Sequence, residues 1–91
     1  MSLPYNLKAH GITDERVIAA FQKIERQEFV DLQYRWVARA DNPLPIGHGQ
    51  TISQPSLVAY MTQLLDIHAE NKILEIGTGS GFQTAILAEI A

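Results

Sequence analysis

The sequence contains no cysteine. That excludes a disulfide framework, a thiolate metal site and a cysteine nucleophile, and it fits a cytoplasmic setting. Charge is also sparse. Charged residues make up 19% of the 91 positions, and the formal net charge of -3 is spread without runs. No basic cluster of the kind that neutralises phosphates is present, so nucleic acid is not an expected partner. No apolar run approaches the roughly 20 residues of a membrane span, and the first residues lack the basic-then-apolar pattern of a signal peptide. The three histidines, His10, His48 and His68, do not stand at metal-ligand spacing. No metal is expected, and no repeat or low-complexity stretch is visible.

What is present is globular composition, 46% hydrophobic, in a length that allows one domain or part of one. Residues 1–13 read as irregular, with Pro4 and Gly11 as breakers. A helix is expected from Asp14 to about Gln27. Thr13 would cap it, Asp14 and Glu15 would suit the positive end of its dipole, and Ile12 with Val17 has the spacing of a hydrophobic staple. Val17, Ile18, Phe21 and Ile24 form its apolar face. Phe29 and Val30 follow as an apolar plug. Residues 31–40 read as a short helix or a turn, Asp41-Asn42-Pro43 as a turn, and residues 44–53 as extended, since Pro43 and Pro45 turn their predecessors away from helix. A second helix begins at Ser53 or Gln54, with Pro55 in its first turn, and ends near Ile67. Leu57, Val58, Met61, Leu64 and Leu65 are its expected buried face. Lys72–Ile76 reads as a short apolar strand, followed by the loop Gly77-Thr78-Gly79-Ser80-Gly81 and a helix from Phe82 to Ala91. Tyr34, Trp36 and Tyr60 are expected to pack rather than to stack on a ligand.

Strand, glycine loop and helix form the first half of a nucleotide-binding unit. Glycine allows a sharp turn and close approach of a ligand to backbone amides, and the helix start behind it offers free N–H groups. The spacing here is G-x-G-x-G, not the G-x-G-x-x-G of dinucleotide sites. Leu74-Glu75-Ile76-Gly77-Thr78-Gly79-Ser80-Gly81 resembles the first motif of class I methyltransferases, which bind S-adenosylmethionine. The resemblance implies that Glu75, Gly77, Thr78, Gly79, Ser80 and Gly81 hold that cofactor. Glu75 interrupts an apolar stretch, and a buried carboxylate needs partners. It either orders the loop as a structural group or meets the ligand's amino-acid end.

A second segment narrows the family. Pro43 to Pro55, reading PLPIGHGQTISQP, resembles the signature of protein-L-isoaspartate O-methyltransferases, at that family's distance from the glycine loop. The likeness extends from about Asp14 onwards. It implies methyl transfer from S-adenosylmethionine to the free α-carboxylate of L-isoaspartyl residues in damaged proteins, with isoaspartyl proteins or peptides as partners. Carboxylates are already ionised at neutral pH, so the step asks for positioning and exclusion of water more than for a base. By the same resemblance, Thr51, Ile52 and Ser53 lie at the substrate and cofactor cleft, with Thr51 and Ser53 as the candidate catalytic groups. Ser53 has a second reading as the cap of the helix that follows it. His48 reads as a loop histidine bonded to backbone.

The implied fold class is α/β, the N-terminal part of a Rossmann-like class I methyltransferase, with these 91 residues themselves mostly helical. Residues 1–67 would be a helical and extended region carrying the substrate-side segment 43–55, and residues 68–91 the start of the cofactor-binding domain. The acidic residue that holds a ribose lies about 20 residues past the glycines in such units, beyond Ala91. The chain alone is therefore expected to bind S-adenosylmethionine weakly or not at all and to be inactive. It is also expected to self-associate through the Lys72–Ile76 strand, whose edges would otherwise be unpaired. The alternatives are a class I methyltransferase with another acceptor and a non-catalytic binding or assembly module.

Overall fold

The computed structural model describes residues 4–91. Met1 to Leu3, the start of the stretch read as irregular, lie outside the described residues. From Pro4 to His10 the chain forms tight 3-10 turns broken at Tyr5 and Asn6, both with positive φ. Three α-helices follow, α1 (Glu15–Lys23), α2 (Pro55–Leu65) and α3 (Phe82–Ile90), together with one hairpin of β1 (Leu44–Gly47) and β2 (Gln50–Ile52). The described residues are thus mostly helical, with a two-stranded sheet.

Helix α1 is capped by Asp14 rather than Thr13. The Asp14 carboxylate accepts from the Arg16 amide at 2.9 Å, while the amides of Thr13 and Asp14 both donate to Oε1 of Gln63, each at 2.8 Å. The helix stops at Lys23, four residues before the expected Gln27, because Ile24 turns extended and the chain resumes as a 3-10 turn over Arg26–Phe29. That break carries Arg26 into the interior, where it bonds to distant carbonyls. Residues 32–37 form another 3-10 turn.

The segment expected to be extended folds back on itself. Leu44 faces Ile52 and Pro45 faces Thr51, with an irregularity before the Gly47–Gln50 pair. The reversal at His48 and Gly49 uses left-handed backbone at both, φ 54 and 69, which glycine adopts at no steric cost and histidine does not.

Helix α2 starts as its proline suggests, with Pro55 in its first turn, but of its expected buried face only Val58 is buried. Pro55, Ser56, Val58, Ala59 and Thr62 are buried, whereas Leu57, Met61, Leu64 and Leu65 are exposed. The small side chains let α2 approach α1 and the 3-10 turns of residues 4–10 closely, and Thr62 satisfies its buried hydroxyl on the Val58 carbonyl at 2.7 Å. The helix ends at Leu65, where Asp66 takes left-handed backbone.

Residues 72–76 form no strand. A strand exists only against a partner, and none of the described strands lies beside this segment. Leu74 and Ile76 are 87% and 89% exposed. The pairing expected to drive self-association therefore has no preformed strand. Trp36, expected to pack, is 84% exposed, and Tyr60 is exposed too; Tyr34 packs against the core.

The core lies between α1 and α3. Phe21 and Phe82 meet edge to face at 5.7 Å, flanked by Tyr5 on Phe21 and Phe29 on Phe82. Leu7, Ile12, Val17, Ile52 and Ile86 are among the residues packed with them. Lys23 pairs with Glu89 at 2.9 Å across the two helices.

Candidate functional site

The glycine loop joins residues 72–76 to α3. Gly77, Gly79 and Gly81 all have left-handed backbone, with φ of 75, 59 and 89. A side chain on any of them would be strained. A Cβ on Gly77 would meet nothing within 4 Å, so the requirement there is conformational and the space beside it is open. Gly81 caps α3. Its amide donates to the Thr78 carbonyl at 3.1 Å, and the Ser80 hydroxyl accepts from the Phe82 amide at 3.2 Å. The loop is closed on itself by these bonds before any ligand arrives.

Facing the loop across a cavity of about 450 Å³ is the end of the hairpin. Thr51, Ile52 and Ser53 line it together with Glu75, Gly77, Thr78, Gly79 and Ser80. Of the site residues expected from sequence, only Gly81 is not in the lining, since it sits behind as the helix cap. Residues 51–53 and 75–80 are some twenty-five positions apart in the chain and are brought together by α2, which spans between them. The exposed side chains of α2 find their place here: Leu57, Met61 and Leu65 form the apolar wall.

The charge of the lining is informative. It includes one carboxylate, Glu75, and neither lysine nor arginine. A phosphate would find no cation, whereas a ligand bearing positive charge would find an attractive field. Glu75 is half-buried and accepts from the Thr84 hydroxyl on α3. That bond ties the stretch before the loop to α3. Gln83 and Thr62 are bonded to each other at 3.1 Å along the same lining.

Ser53 does not cap α2. The capping position is Gln54, which makes no side-chain bond to the helix backbone. The free Ser56 amide is satisfied instead by Asp41 Oδ1 at 2.7 Å. The Ser53 side chain is left exposed on the cavity wall, and its carbonyl accepts from Arg26 at 3.1 Å. His48 lies outside this cavity, in a smaller one of about 220 Å³ beside Gly79 and Ser80. His10 and His68 are exposed and pair with Asp41 and Asp66 at 3.3 and 3.5 Å.

Sequence reasoning passed over Arg26 and Asp41. A lone arginine in a Glu-Arg-Gln run looks like a solvated helix end. The Asp41-Asn42-Pro43 turn reads as one whose acidic side chain satisfies its own backbone; the structure sends that carboxylate to the Ser56 amide instead.

The sequence model of the family described as "Protein-L-isoaspartate(D-aspartate) O-methyltransferase" matches residues 2–91. The chain is similar to a protein-L-isoaspartate O-methyltransferase of Methanoculleus marisnigri, with 56% identity over 87 residues, 96% of this chain and 40% of that protein. A Petrotoga mobilis protein of the same name is 53% identical over 99% of this chain and 42% of its own length. One of Ruegeria pomeroyi is 50% identical over the whole chain and 42% of its own length. The chain spans about two fifths of the length of the curated relatives it matches.

Proposed function

The chain belongs to the protein-L-isoaspartate O-methyltransferase family, and from that membership we propose that it supplies the glycine loop and the acceptor-side wall of a cleft for methyl transfer to the α-carboxylate of L-isoaspartyl residues. The observation that carries this reading is the single cavity shared by Thr51–Ser53 and Glu75–Ser80. On the family resemblance, the first of these segments would meet the acceptor and the second S-adenosylmethionine.

The residues present fit that cofactor. Left-handed glycines leave the loop backbone bare for close approach, and a lining with one carboxylate and no cation suits a sulfonium and an ammonium better than a pyrophosphate. Gly77, Thr78, Gly79 and Ser80 would hold it, with Glu75 towards its amino-acid end and Ile52 as an apolar contact. S-adenosylmethionine supplies an electrophilic methyl group on a positively charged sulfur, which leaves as a neutral thioether when a carboxylate oxygen takes the methyl.

The chain's own residues then have modest tasks. The acceptor carboxylate is already ionised near neutral pH, so no base has to be provided. The Thr51 and Ser53 hydroxyls donate hydrogen bonds that orient it for in-line approach. Leu57, Met61 and Leu65 give the cleft an apolar wall; covered by the remainder of a longer protein, that wall would exclude water and strengthen the attraction between carboxylate and sulfonium. Ser53 acts as a donor and forms no covalent link to the acceptor.

Methyl transfer from labelled S-adenosylmethionine to an isoaspartyl peptide and to its normal aspartyl twin tests the reading. It should be run on these 91 residues and on the same residues continued by the remaining length of a relative. The longer protein is expected to label the isoaspartyl peptide only. Labelling of neither peptide, with the cofactor bound, would assign another acceptor; labelling by the 91 residues alone would show that their cofactor site is sufficient.

A further inference from the structure

Arg26 is the largest fully buried side chain among the described residues, 1% exposed. Its guanidinium donates to four backbone carbonyls and to no carboxylate. Nη1 reaches Ala38 and Ala40, each at 3.2 Å, and Nη2 reaches Asn42 at 2.6 Å and Ser53 at 3.1 Å. Nε has no partner. Burial pulls the group below its ordinary pKa, opposed by the nearby Tyr5 and Asp41. As a means of filling the core this is a poor arrangement, since a buried cation with an unpaired donor is less favourable than a hydrocarbon of similar volume.

The four acceptors show what the arginine does accomplish. Three belong to the 38–42 turn, and the fourth is the carbonyl of Ser53. Asp41, in the same turn, accepts from the Ser56 amide. Ser53 is thus flanked by two long-range holds, one on its own carbonyl and one three residues later, both anchored in one turn. We infer that Arg26 and Asp41 are positioning residues that fix Ser53 and the start of α2 against the cleft. This rests on the reading of Ser53 as an acceptor-orienting group. The planar fork of arginine can reach the turn and Ser53 together, whereas the compact ammonium of lysine cannot span them.

Residue-resolved amide hydrogen exchange in the 91-residue chain reads the hold directly. Arg26→Met and Asp41→Ala should speed exchange at Ser56 and Val58 by about tenfold or more, the order expected for losing a charged buried bond, with Phe21 and Ile86 little changed. Asp41→Asn, which keeps the accepting oxygen, should restore most of the protection. Because Asp41 lies near the surface, its variants report even if Arg26→Met does not fold. In the longer protein, Arg26→Lys should lower kcat on the order of tenfold or more while the KM for S-adenosylmethionine stays constant. Uniform loss of protection across the core in both Asp41→Ala and Arg26→Met, or an unchanged kcat in Arg26→Lys, would reduce both residues to packing. If the unsubstituted protein transfers no methyl group, the methyltransferase reading fails, and exchange at Ser56 and Val58 alone decides the clamp.

Discussion

Arg16 gathers the start of α1 and the end of α2 on one side chain. It bonds both carboxylate oxygens of Asp14, the carboxylate of Asp66 at 2.9 Å and the carbonyl of Ile67. The Arg16 hydrogen bonds hold both carboxyls below their ordinary value of 3.8 and push the guanidinium up. Depressed carboxylate values stabilise the fold above the unfolded value and cease to do so as pH falls through the folded one. Thermal stability should therefore decline as pH drops below about 4, and Asp14→Ala should flatten that acid limb. The same substitution removes the α1 cap, at a cost of about 1 kcal/mol or roughly 4–8 °C in a domain of this size. Melting curves from pH 3 to 7 check both; an unaltered acid limb would show that the cluster is solvated in practice. None of this was legible in the sequence. Thr13 and Asp14 are both good caps, and the bonds that anchor the amides of both come from Gln63, some fifty positions away.

Among the elements, two local signals hold: the face of α1 and the start of α2. The apolar stripe of α1 follows from its 3.6-residue period, and Pro55 marks the start of α2 because a first-turn proline loses no hydrogen bond. The buried side of α2 could not be read. Periodicity finds an apolar face, but it does not say which neighbour the helix meets, and α2 offers two usable faces. The small one packs on α1, and the large one lines the cleft. Ile86, fully buried, and Leu64, 66% exposed, should consequently respond very differently. Ile86→Ala is expected to cost about 2–5 kcal/mol and Leu64→Ala no more than about 0.5 in chemical denaturation. Comparable losses at both positions would mean that the large face is covered in solution. The strand expected at 72–76 failed for the complementary reason: its sequence is suited to a sheet, but strand formation needs a neighbour that these residues do not supply.

The whole molecule is a slab, 35 × 32 × 18 Å, with a radius of gyration of 12.6 Å. One side is a closed core built on Phe21 and Phe82. The other carries Leu57, Met61, Leu64, Leu65, Leu74 and Ile76 in the open, more apolar surface than isolated side chains usually present. Of these, all but Leu64 line the cleft, and its two halves are legible for different reasons. The glycine loop announces itself because three alternate glycines are needed where φ is positive. The 43–55 segment was legible only by resemblance, since nothing in Thr51-Ile52-Ser53 by itself distinguishes a cleft wall from a helix start. The two segments line one cavity, and chemical-shift mapping of the 91-residue chain titrated with S-adenosylmethionine tests whether they act as one site, even at weak binding. Shifts confined to Thr51–Ser53 and Glu75–Gly81 are expected; shifts that omit either segment at millimolar ligand would show that the two do not form one site.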